Sequence, residues 1–65
     1  MKTKKQVVEE KIEKNLEEIY SMEIVRDFNK TSDHKEAKVQ VDAAETAIKK
    51  CEIQLTFLRE YLKTC

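Results

Sequence analysis

Small and apolar residues recur at alternating steps of four and three from residue 37 to residue 65. The series is Ala37, Val41, Ala44, Ile48, Cys51, Leu55, Leu58, Leu62 and Cys65. A period of three and a half residues keeps one seam of a helix against a partner for about four heptads, roughly 45 Å at ~1.5 Å per residue. An earlier apolar series has the same character. Val8, Ile12, Leu16 and Ile19 lie within about 80° of arc at ~100° per residue, with Met22 and Tyr20 on the flanks. Two amphipathic helices are predicted.

Their ends can be read from capping chemistry. Thr3 followed three residues later by Gln6 is a capping-box pattern, so the first helix is expected to start at about residue 4 and run to about residue 28. Lys2, Lys4 and Lys5 oppose the helix dipole there, which favours a frayed, solvated end. Asn29, Lys30, Thr31, Ser32 and Asp33 form the one polar cluster with turn chemistry, and the turn is placed at about 29–33. Asp33 with Glu36 reads as a second capping box, Ser32 being the alternative cap, and the second helix is expected over about 34–64.

Two long helices with a short connection fold back antiparallel. Folding about residue 31 opposes Ile19 to Ala44, Leu16 to Ile48, Ile12 to Cys51 and Val8 to Leu55. Near the turn, large side chains meet small ones and the helices can approach closely. At the open end Leu55, Leu58 and Leu62 outgrow their partners and need cover. The expected fold is therefore all-α, a single helical-hairpin domain over 1–65 that dimerises into a four-helix bundle. A parallel coiled coil through the second helix alone fits less well, because alanines and Cys51 fill its core positions thinly.

Composition strengthens the helical reading. The 65-residue chain has no Gly and no Pro, which removes the usual residues for tight hairpins between strands. Charged residues make up 40% and hydrophobic residues 40%, with zero net charge, as expected of helices with one solvated face and not of a disordered chain. A domain of this size buries only about 60% of its unfolded surface, so external partners are expected. No apolar run approaches the ~18 residues of a membrane span, and the basic start leads through Val7 and Val8 to Glu9, with no signal core. Two cysteines fall short of a secreted disulfide framework, and a cytoplasmic location is expected.

Candidate chemistry is sparse. His34 has no partner at Glu-x-x-His spacing and reads as a solvated or capping residue. Glu9, Glu13 and Glu17, with Glu10 beside them, make an acidic outer face with no arginine, histidine or apolar pocket to set one carboxylate apart from the rest. Cys51 falls on the seam, where a small hydrophobe fits, and the terminal Cys65 lacks the three following residues of a prenylation signal. No nucleophile–base pair, phosphate loop or ligand cluster is present, so no enzyme, cofactor or metal is expected.

The apolar residues that leave the seam are more informative. Ile53 points about 180° from it, Phe57 about 140° and Tyr61 about 100°, while Ile24 and Phe28 leave the core face of the first helix, with Val25 beside them. Scattered exposed apolar residues are ordinary, but aromatic anchors at helical spacing are what a helix-in-groove contact uses. Ile53, Phe57, Tyr61, Ile24 and Phe28 are therefore the expected partner-binding residues, and Glu9, Glu10, Glu13 and Glu17 an acidic face suited to a basic site.

In length, turn position and inferred architecture the chain is similar to the plasmid-encoded repressor-of-primer type of hairpin dimer, which binds paired RNA stem-loops. No sequence motif is shared, so no RNA-contacting residue carries over. Residues 9–23 hold six glutamates against Lys11 and Lys14, the opposite of a phosphate-binding surface. The leading expectation is a non-enzymatic protein-binding module, an adaptor, inhibitor or chaperone-like subunit such as a phage- or plasmid-type regulator. An RNA-binding hairpin dimer of the copy-control type, or a purely structural self-assembling protein, is the alternative.

Overall fold

A computed structural model describes all 65 residues as two antiparallel helices, α1 (Lys4–Lys30) and α2 (Ala37–Leu62), and no strand. The expected all-α helical hairpin is the fold. At the start of α1 the capping box forms in full: the Thr3 hydroxyl accepts from the Gln6 N–H at 3.2 Å, and Gln6 Oε1 accepts from the Thr3 N–H at 2.9 Å. Two of the donors that a helix start leaves unpaired are satisfied in this way.

The connection differs from the sequence expectation. Helix α1 continues two residues beyond 28, held by Asn29 Nδ2 donating to the Val25 carbonyl at 2.7 Å and by the Thr31 hydroxyl donating to the Phe28 carbonyl at 3.0 Å. Helix α2 starts at Ala37, not near 34, and the Asp33–Glu36 capping box does not form. Glu36 occupies the cap position without a side-chain bond. Its N–H donates instead to His34 Nδ1 at 3.3 Å, and the Ser32 hydroxyl accepts from the His34 N–H, so Ser32 organises the turn and does not cap α2. Packing gives the reason. Helices in contact lie ~8–10 Å apart, and the chain must cross that gap before Ala37, the first buried residue of α2, can meet α1. At the other end α2 stops at Leu62, and Thr64 and Cys65 close a final turn on the Tyr61 and Leu62 carbonyls.

The core follows the two apolar series. Val8 and Ile19 on α1 and Ala37, Ala44, Ile48 and Leu55 on α2 are buried, and Ile19, Ile48 and Leu55 form one cluster against which Ile12, Leu16, Met22 and Cys51 pack. Every member of the 37–65 series except Cys65 is buried or half-buried. Tyr20, placed on the flank of the α1 core face, is exposed.

Shape determines what this core can cover. The molecule measures 48 × 19 × 12 Å. Its smallest dimension is the ~10–12 Å diameter of one helix with its side chains, so the hairpin is a single layer. Domains ordinarily bury their apolar surface between two layers or more. Here both broad faces of the hairpin are open, and no side chain is fully buried.

Candidate functional site

On one broad face the two helices frame an open groove of about 870 Å³. Its apolar lining comes from α2: Ala47 and Cys51, then Ile53, Phe57 and Leu58. The α1 side is polar, formed by Lys11, Lys14, Asn15 and Glu18, while Lys50 and Gln54 supply the polar atoms of α2. The groove follows from residue choice. Small side chains at Ala47 and Cys51 leave the space between the helices unfilled, and the large Phe57 and Leu58 wall one end of it.

Two of the sequence-predicted partner-binding residues meet here. Ile53 and Phe57 both line the groove while remaining 72% and 70% exposed. Tyr61 lies one turn beyond Phe57, exposed at 43% and outside the lining. Ile24 and Phe28 are exposed at 70% and 72%, but they stand near the turn end of the hairpin and take no part in the groove. The five residues therefore form two separate apolar patches. Tyr20 extends the α1 patch, giving Tyr20, Ile24 and Phe28 at steps of four.

The acidic residues are distributed along the outside of α1. Glu9, Glu13 and Glu17 are exposed and occupy the same arc of the helix as Tyr20, Ile24 and Phe28, at ~100° per residue. The outer face of α1 is thus acidic in its first half and apolar in its second. Glu10 is set apart from this group, because its Oε1 pairs with Lys2 Nζ at 2.6 Å. That exposed pair contributes at most about 1 kcal/mol. The second ion pair, Arg26 Nε to Asp27 Oδ1 at 3.1 Å, joins neighbours on α1 near the turn.

Reading one helix at a time misses the lysines. Lys11, Lys14 and Lys50 converge on the groove with Glu18 as the one acid in its lining, although α1 by itself reads as an acidic helix. The signal was present in the flank positions of both helices. It becomes visible only when the antiparallel pairing brings those flanks to the same side. Cys51 and Cys65 are free thiols, half-buried and exposed respectively, and the Cys65 thiol lies 3.6 Å from the Tyr61 carbonyl oxygen. No three His, Cys, Asp or Glu side chains converge as a metal site would require, and neither helix is long and apolar enough to cross a membrane.

Comparison of the chain with protein-family models, with curated proteins and with solved structures returns no match.

Proposed function

We propose that the protein is a non-enzymatic binding module that docks another protein's helix in the groove between α1 and α2. The observation that carries this reading is the position of Ile53 and Phe57, which line the groove yet stay more than two-thirds exposed. An aliphatic and an aromatic side chain one helical turn apart beside a groove are the anchors of helix-in-groove recognition. Surface area supports the same view. A compact protein of 7.7 kDa exposes about 4,300 Å² by the usual scaling, whereas this chain exposes 5455 Å². The excess, roughly 1,100 Å², is of the order of the ~800 Å² that each partner contributes to a stable protein interface.

The experiment is co-purification from the native host with the wild-type chain and with the variant Ile53→Ser/Phe57→Ser, followed by mass spectrometry. The expected result is a protein captured by the wild type and lost with the variant, at unchanged helicity. Recovery of RNA without a protein partner would overturn the reading in favour of a copy-control type of RNA-binding dimer.

A second reading, self-association into a four-helix bundle, is favoured by the thin core, in which only 6 of 65 residues are buried. The Tyr20, Ile24 and Phe28 patch offers apolar area for a second copy away from the groove. Dimerisation through that patch and docking in the groove are compatible.

A further inference from the structure

We propose, building on the docking role above, that the occupant of the groove is an acidic amphipathic helix of about three turns, apolar along one face and flanked by Asp and Glu. The charge lining the groove selects it. Lys11, Lys14 and Lys50 face Glu18, an excess of two positive charges in a chain whose net charge is zero. Basic residues are therefore concentrated where the apolar anchors are, and opposite charge around an apolar contact steers the partner and sets its register. Length follows from the lining. The α2 wall runs from Ala47 to Leu58, about 17 Å at ~1.5 Å per residue, which matches three helical turns. Ile53 and Phe57 would then contact apolar side chains one turn apart on the partner, and the lysines would reach its flanking carboxylates.

Two other occupants fit less well. A second copy docked groove to groove would set lysines against lysines. A second copy presenting the outer face of its α1 would leave its own groove open, so that association would continue head to tail. Single-stranded RNA would pair its phosphates with the lysines and stack a base on Phe57, but Phe57 is the one aromatic in the lining, the other apolar residues offer no further stacking platform, and Glu18 repels phosphate.

The test is a display library of helical peptides of about 16 residues, the length of the groove plus a turn. The peptides carry apolar residues at i, i+3, i+4 and i+7 with randomised flanks, and are selected on the full-length chain and counter-selected on Ile53→Ser/Phe57→Ser. Enrichment of Asp and Glu in the flanks is expected. The enriched peptide should bind roughly tenfold more weakly to Lys11→Glu/Lys50→Glu and by a smaller factor to Lys11→Gln/Lys50→Gln, with helicity retained by circular dichroism. Changing the peptide's flanking acids to lysine should restore binding to the Lys→Glu variant. Enrichment of neutral or basic flanks would overturn the acidic-partner inference and leave groove docking standing. Selected peptides that bind Ile53→Ser/Phe57→Ser as tightly as the wild-type chain, or no enrichment at all, would overturn both. Tight binding of a single-stranded RNA 12-mer, within the usual site size of ~4–16 nucleotides, without acidic enrichment would place the occupant in another class. Growth of the wild-type chain into head-to-tail assemblies in light scattering would make a second copy the occupant.

Discussion

Ile19 on α1 and Ile48 on α2 belong to one buried cluster with Leu55, so the core of the hairpin is shared between the two helices. Truncating it should be disproportionately damaging. A chain of 65 residues has about 3 to 10 kcal/mol of stability in total at the usual value per residue. Ile48→Ala should remove about 2 to 5 kcal/mol, a large share of that total, and lower the urea midpoint accordingly. Urea denaturation followed by circular dichroism measures this, and an unchanged midpoint would show that the cluster is not what joins the helices.

Ala44 is the most completely covered residue of the chain, 2% exposed, at a position where α1 comes close. A larger side chain there must push the helices apart or adopt a poor rotamer. Ala44→Leu is expected to cost roughly 1 to 3 kcal/mol through overpacking. A neutral result in the same titration would mean that the turn end of the hairpin is loosely packed.

The two helix starts should respond differently to the loss of their polar residues. Thr3→Ala removes the hydroxyl that accepts from the Gln6 N–H and is expected to cost about 1 kcal/mol, seen as faster amide exchange in the first turn of α1. Asp33→Ala should shift stability by no more than about 0.5 kcal/mol, because the α2 cap position makes no side-chain bond and the Glu36 N–H is bonded to His34. Equal effects at both sites would restore the Asp33–Glu36 capping box that the turn geometry replaces.

Light scattering at micromolar concentrations should report twice the 7.7 kDa chain mass if the single-layer hairpin pairs with a copy of itself. Replacing Ile24 and Phe28 with Ser should return the mass to that of one chain if the α1 patch is the contact. A compact monomer at every concentration would remove self-association and leave the groove to a different protein.

Much of this could be read before any coordinates. The seam from Ala37 to Leu62 and the face from Val8 to Ile19 are visible as periodicity, and those residues supply the core. The exposure of Ile53, Phe57, Ile24 and Phe28 also follows from their angles on an isolated helix. The start of α2 was not legible in the same way. Asp33 and Ser32 are both good capping residues, yet the cap falls at Glu36, which makes no side-chain bond, because its place depends on how far the chain must travel to reach α1. The His34 side chain takes up the Glu36 N–H for the same geometric reason.

Sequence by itself determined that the chain forms two long helices, where the first begins, and which face of each is apolar. These are local properties, set by helical spacing, by the Thr3 and Gln6 cap, and by the lack of Gly and Pro. Tertiary structure alone decided which flanks stand side by side. It separated Ile53 and Phe57 from Ile24 and Phe28 and gathered Lys11, Lys14 and Lys50 around one groove. A helix flank has no fixed neighbour until a second helix is laid against it, so the charge of the groove is a property of the pair and of neither helix alone.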